Sequence, residues 1–208
     1  MLNIAVFGSG TGSNFRAILK EMNDGRIPNA RVGLVVSNNS GAGILEIARN
    51  HGIPWIHISR SQFPTEEEFV TRLLQSLSDH NVNFVVLAGY VKRLHPHMIQ
   101  AYHNRIINIH PALLPKYGGE GMYGMHVHEA VLAAGDTMSG ATVHIVDEEY
   151  DHGPIVLQKE VLVDPDDTPE TLAARVLRTE HQIYPEAIRL FSSGRVTIHE
   201  RDVEVQHF

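Results

Sequence analysis

A chain of 208 residues, 43% hydrophobic and 20% charged, is long enough for one well-buried domain, or one domain with a small appendage, and needs no covalent staple. It has no cysteine, which excludes a disulfide frame and a thiolate nucleophile, and its net charge of −7 argues against a nucleic-acid surface. No basic leader opens it and no apolar run reaches membrane-span length, so it reads as a cytoplasmic protein whose partners are small molecules, with no membrane and no nucleic acid. The 14 histidines are scattered along the chain.

The first element is Asn3-Ile4-Ala5-Val6-Phe7, a continuous apolar run of the kind expected for a strand buried on both faces. Gly8-Ser9-Gly10-Thr11-Gly12-Ser13-Asn14 follows, then helical spacing over 15–22. Strand, glycine-rich turn and helix together can make an anion site, because backbone N–H groups and the helix dipole face the ligand. The dinucleotide pattern G-x-G-x-x-G fails, since Ser13 stands where its last glycine belongs, and no Gly-Lys-Ser/Thr follows for a nucleotide P-loop. Two readings remain: a phosphate site on Gly12, Ser13 and Asn14, with Ser13 or Asn14 capping the helix, or a tight turn without a ligand.

Further strands are expected at 31–37, 54–58 and 83–87, separated by helices over 41–50 and from Thr65 to about residue 80. Glu66, Glu67 and Glu68 suit the start of that second helix. Strands alternating with helices of this length indicate a doubly wound, mostly parallel α/β sheet. A short helix over 96–102 leads to a strand at 105–109 that ends at Pro111. Asn108 and His110 are two apart, so an extended chain sends both side chains to one face. An amide N–H beside an imidazole can stabilise an oxyanion and move a proton. The plainer alternative is a strand end whose polar side chains satisfy loop backbone.

Gly118-Gly119-Glu120-Gly121-Met122-Tyr123-Gly124 is either a mobile lid or a surface insertion. His126 and His128 form an H-x-H, but 127–134 reads as helix, where positions two apart diverge, so a metal is not expected. A strand over 140–146 carries Thr142, His144 and Val146 on one face. A turn at 147–150 leads through Asp151-His152-Gly153-Pro154-Ile155 to a strand over 156–163, expected as an antiparallel addition. Asp167 and Glu170 flag the start of a helix that Pro185 should kink or divide and Gly194 should end. Residues 195–199 and 203–205 suit a terminal hairpin.

Five stretches stand in an order that belongs together: the turn 8–14, Val86-Leu87-Ala88-Gly89-Tyr90, Asn108-Ile109-His110-Pro111-Ala112-Leu113-Leu114-Pro115, Asp151-His152-Gly153-Pro154-Ile155, and Glu180-His181-Gln182-Ile183-Tyr184-Pro185. Over nearly its whole length the chain resembles the phosphoribosylglycinamide formyltransferases of the formyltransferase superfamily. The resemblance implies a Rossmann-like formyltransferase fold with an antiparallel C-terminal part. It implies a single domain over 1–208, with a phosphate-binding half at 1–102 and a catalytic and folate-binding half at 103–208. The implied reaction moves formyl from 10-formyltetrahydrofolate, a co-substrate, to the amine of glycinamide ribonucleotide in purine synthesis, without metal and in a monomer or homodimer. By resemblance His110, Asn108 and Asp151 are catalytic. Asn108 and a protonated His110 would meet the oxyanion, and Asp151 would raise the His110 pKa. Gly12, Ser13, Asn14 and Glu180 would hold the nucleotide. Val91, Lys92, Arg93 and Leu94, with Asn108 and the loop Asp147, Glu148, Glu149, Tyr150 and Asp151, would hold the folate.

Three departures from relatives stand out. The 118–125 loop is longer than that of many family members, some relatives carry a basic residue for the folate's glutamate tail near the position of Glu66, and Leu177 stands where some relatives have a polar nucleotide contact. Arg60 or Lys92 could substitute at the tail. Formyltetrahydrofolate hydrolysis uses the same Asn, His and Asp, but that family carries an extra N-terminal domain. Methionyl-tRNA formylation would want a basic RNA-binding domain. A non-catalytic nucleotide-binding module would need the first turn alone and leave Asn108, His110 and Asp151 without a role.

Overall fold

The computed structural model describes residues 1–206. The chain divides into two compact units, Met1–Ile107 and Asn108–Phe208. The boundary falls inside a strand rather than at a linker.

The first unit is an α/β sandwich. Its strands are β1 (Leu2–Phe7), β2 (Ala30–Ser37), β3 (Trp55–His57) and β4 (Phe84–Leu87). The pairs β1–β2, β1–β4 and β2–β3 are all parallel. Its helices are α1 (Ser13–Asn23), α2 (Gly43–Asn50), α3 (Glu66–Asp79) and α4 (Pro96–Ala101). The apolar runs are buried as their lack of alternation requires: Ile4, Val6, Leu34, Val36, Val85 and Val86 are inside, with Phe15, Ile18, Ile44 and Leu77 from the helices. Thr65 caps α3 by accepting from the Glu68 N–H, and three glutamates occupy the positive end of the dipole.

β5 (Ile106–His110) crosses the unit boundary. The second unit continues with α5 (Met125–Ala133), β6 (Met138–Ile145), β7 (Ile155–Leu162) and α6 (Pro169–Ser192), and ends in the hairpin β8 (Val196–His199) and β9 (Asp202–Val205). β6 and β7 are antiparallel, with a bulge between Val143 and His144. The strand order of the main sheet is β3-β2-β1-β4-β5-β6-β7. The fold is therefore the mostly parallel Rossmann-like sheet with an antiparallel C-terminal part that the sequence led us to expect. Pro185 does not divide α6, which runs uninterrupted from Pro169 to Ser192. A mid-helix proline costs about 3 kcal/mol. Here it sits in a buried stripe with Leu172, Val176, Tyr184, Ala187 and Ile188, whose burial offsets that cost.

Candidate active site

The loops at the C-terminal ends of β1 and β4 meet where the strand order reverses, which is where ligands bind in open α/β sheets. The Ser9 N–H donates to the Gly89 carbonyl at 3.0 Å, and the Val91 N–H donates to Ser9 Oγ at 3.1 Å. The turn over 8–14 is thus tied to the segment 91–94. Gly12 is the N-cap of α1, in the left-handed region at φ 77°. A Cβ there would lie 3.0 Å from Ile44 Cα, so glycine is required twice over, by conformation and by space. The expectation that Ser13 or Asn14 caps the helix fails, because the helix already begins at Ser13 and Asn14 is buried within its first turn. No acid lies in that first turn, so its positive end is left without a charge partner from its own helix.

In the second unit, Asn108 and His110 lie at the strand end where their spacing led us to expect them, Asp151 stands beside His110 as the resemblance implied, and a fourth side chain joins them. His110 is 3% exposed at the end of β5. Its Nε2 lies 2.7 Å from the Tyr117 carbonyl, which can only accept, so Nε2 carries a proton. Its Nδ1 faces Asp151 Oδ2 at 3.5 Å. Asp151 Oδ1 faces His144 Nε2, also at 3.5 Å, and that nitrogen stands 3.1 Å from Asn108 Nδ2. The other nitrogen of His144 is 2.9 Å from the Ile145 carbonyl and must donate to it. In the tautomer whose proton lies on that other nitrogen, Nε2 accepts from the Asn108 amide and orients it.

Backbone geometry places each of these groups. The β6–β7 register shifts beside His144, with Val156 of β7 as the extra residue, so the ladder is interrupted at the site. The segment after His110 is braced by Thr142, whose hydroxyl donates to the Ala112 carbonyl at 2.6 Å and accepts from the Leu114 N–H at 3.2 Å. Asp151 adopts φ 53° at the end of the 147–151 loop, and the Gly119 N–H donates to its Oδ2 at 3.0 Å. Two residues on, Gly153 passes so close to the Ile145 carbonyl that any Cβ would overlap it.

Electrostatics modify one expectation. Burial pushes the His110 imidazole below the ordinary histidine value. Asp151 and then the Tyr117 carbonyl push back, without reversing the net direction. Asp151 does raise the His110 pKa relative to its absence, but the resting imidazole is neutral rather than protonated near pH 7, because desolvation outweighs one partly solvated carboxylate. Burial would also raise the Asp151 carboxyl, but His144, His110 and the Gly119 N–H outweigh it, and Asp151 stays ionised.

The other candidate residues stand as follows. Glu180 is buried on α6 among Val176, Ile183 and Tyr184. Val91 is half exposed and Leu94 buried. Asp147 accepts from the Glu149 N–H at 3.0 Å and pairs with Arg201 at 3.2 Å. His126 is exposed and His128 buried, diverging as helical spacing requires. Among the described residues no three His, Asp or Glu side chains stand close enough to hold a metal ion. The start of the glycine-rich loop and the residue before it are tied to this cluster, through the Gly119 N–H on Asp151 and the Tyr117 carbonyl on His110. Two contributors escaped the sequence reading. The shared face of Thr142 and His144 was visible but carried no role, and the Tyr117 carbonyl left no side-chain signal at all.

Residues 2–188 match the Formyl transferase family. The chain is 44% identical over 201 residues to the chloroplastic phosphoribosylglycinamide formyltransferase of Arabidopsis thaliana, covering 96% of this chain and 68% of that one. It is 39% identical over 199 residues to the phosphoribosylglycinamide formyltransferase of Escherichia coli, covering 96% and 91%. The crystal structure of glycinamide ribonucleotide transformylase 1 from Symbiobacterium toebii superposes with a TM-score of 0.92 at 41% identity, over 100% of this chain and 95% of that one. With the family matched over residues 2–188 and these enzymes alike in sequence and fold over nearly the whole chain, the chain belongs to the phosphoribosylglycinamide formyltransferases of the formyl transferase family.

Proposed function

We propose that the chain transfers formyl from 10-formyltetrahydrofolate to the amine of N1-(5-phospho-D-ribosyl)glycinamide, with His110, Asn108 and Asp151 as the catalytic residues. The observation that carries this reading is the continuous line of polar groups Tyr117 carbonyl, His110, Asp151, His144 and Asn108. In the reaction a C–N bond forms between the amine and the formyl carbon, the bond from that carbon to the folate N10 breaks, and one proton passes from the amine to N10. The formyl oxygen gathers negative charge on the way. The donor set fits that chemistry: an amide N–H for the oxygen and a neutral imidazole for the proton.

With Nε2 committed to Tyr117, Nδ1 is the basic nitrogen. A proton arriving there meets an ionised carboxylate 3.5 Å away, which stabilises the imidazolium that forms. The same Nδ1–H is then a donor for the charged oxygen and a source of the proton for the departing nitrogen. Asn108 contributes the N–H that His144 leaves unused. In the first unit, the backbone N–H groups of Gly12, Ser13 and Asn14 at the start of α1 suit the nucleotide phosphate. Glu180 is assigned to the nucleotide. The segment Val91, Lys92, Arg93 and Leu94, and the loop Asp147, Glu148, Glu149, Tyr150 and Asp151, are assigned to the folate.

The test is conversion by the purified chain, followed by folate absorbance with both substrates present. Formyl transfer should require the nucleotide, and His110→Asn should abolish it while nucleotide binding persists. Release of formate in the absence of the nucleotide amine would instead point to hydrolysis, and an active His110→Asn would remove His110 from the chemistry.

A further inference from the structure

We propose that Tyr117 is a positioning residue for His110: its hydroxyl, anchored on Asp136, holds the carbonyl that keeps the His110 proton on Nε2 and so leaves Nδ1 free to act as the base. This rests on the reading of His110 as the proton carrier.

The contacts form one path. Tyr117 sits in the left-handed region at φ 57°, a conformation that a residue with a Cβ rarely adopts without support. Support comes from its own side chain, since the hydroxyl donates to Asp136 Oδ2 at 2.8 Å. Lys116 Nζ meets the same oxygen at 3.0 Å, holding the carboxylate in place. The hydrogen bond to Asp136 pushes the phenol pKa up, so the hydroxyl keeps its proton throughout the working pH range. At the other end of the residue, the carbonyl receives His110 Nε2–H at 2.7 Å. Two residues on, the Gly119 N–H grips Asp151. One turn thus sets both partners of the proton transfer.

The carbonyl matters because His110 has a competing acceptor. The titratable groups facing its ring are Asp151 and the two histidines His144 and His128. Asp151 is ionised and a stronger acceptor than a peptide carbonyl. If the carbonyl were to drift, the neutral ring would gain by moving its proton to Nδ1 and donating to Asp151. That tautomer presents a donor where the reaction needs an acceptor.

The experiment is side-chain ¹⁵N NMR of His110 in the full-length enzyme, above its pKa, in wild type, Tyr117→Phe, Asp136→Ala and Asp136→Asn. Wild type should show the Nε2–H tautomer. Tyr117→Phe and Asp136→Ala should show an added Nδ1–H population, a lower His110 pKa, and a kcat about two- to tenfold lower at little change in KM, the worth of one hydrogen bond. Asp136→Asn keeps an acceptor for the hydroxyl and should restore the wild-type tautomer. Wild-type tautomer ratios in both Tyr117→Phe and Asp136→Ala would overturn the proposal, as would an Nδ1–H tautomer in wild type. Asp136 is partly exposed, so its variants supply the answer if Tyr117→Phe does not fold, as judged by circular dichroism. Activity of His110→Asn tests the underlying reading separately, since the tautomer measurement does not depend on turnover.

Discussion

His110 Nδ1 and Asp151 Oδ2 face each other at 3.5 Å, too far apart for a hydrogen bond and close enough for strong electrostatic coupling. The gap separates a bare nitrogen lone pair from a carboxylate, so it favours the arrival of a proton between them. Burial keeps that proton away at rest, and the reaction supplies it. Asp151→Asn keeps the size and removes the charge. The His110 pKa should then fall further below its ordinary value, because the largest upward influence on it is gone. Formyl transfer should drop severely, and extra nucleotide should not rescue it, since the lost interaction belongs to the transition state. NMR titration of His110 in both proteins reads the shift. An unchanged or higher pKa in the variant would mean that the two residues are not coupled.

The same depression links folding to pH. In the unfolded chain His110 takes a proton near 6.5, whereas in the native protein it does so only at lower pH. Between those values the unfolded state binds more protons, so stability rises with pH and is lost on acidification below about 6.5. Asp151 acts in the same direction further down: its native pKa is below 3.8, so its contribution is present above that value and fades as pH falls through the native one. Urea unfolding at pH 7.5 and 5.5 should show wild type losing more stability than His110→Gln. Equal losses would mean that His110 titrates alike in both states.

How much of this could be read from the sequence follows the range of the interactions involved. β1, β2, β4 and the hairpin lay close to where their apolar runs and turn residues put them, because burial on both faces leaves a continuous local pattern. The pairing of Asn108 with His110 was visible because strand periodicity is local. His144 was placed on a strand face with Thr142, but its partner Asn108 is 36 residues away, which no local pattern declares. The Tyr117 carbonyl was invisible because a backbone acceptor is the same in every residue. The sign of the Asp151 influence on His110 was legible because the carboxylate is written in the sequence, and the net direction was not, because the extent of burial is not. Pro185 left a kinked or a divided helix open because its local cost is legible and the buried face that keeps the helix continuous is not.

The first turn carries its own prediction. Gly12→Val would force a β-branched residue to φ 77° and drive its Cβ against Ile44 and Ile47. The strain falls on the start of α1, where the phosphate is assigned. The nucleotide KM should rise at least tenfold, while folate binding, measured by fluorescence quenching, stays near wild type. An unchanged nucleotide KM in a folded variant would remove the phosphate from this turn.

Asn108 and His144 give the last test, because the geometry makes one depend on the other. Losing an oxyanion donor costs about 10²–10³ in kcat, so Asn108→Ala should fall in that range with its circular dichroism unchanged. His144 holds the Asn108 amide at 3.1 Å and its own ring on the Ile145 carbonyl at 2.9 Å. It also faces Asp151 at 3.5 Å, so it has two routes to the chemistry. If its role runs through Asn108 alone, His144→Ala should lower kcat, and the double variant should be no worse than Asn108→Ala, since an amide that is absent cannot be misaligned. If the losses instead multiply, His144 acts on Asp151 independently. The His110 titration then separates the two routes: it should stay put in His144→Ala if only the amide has been released, and move if the carboxylate has lost a neighbour.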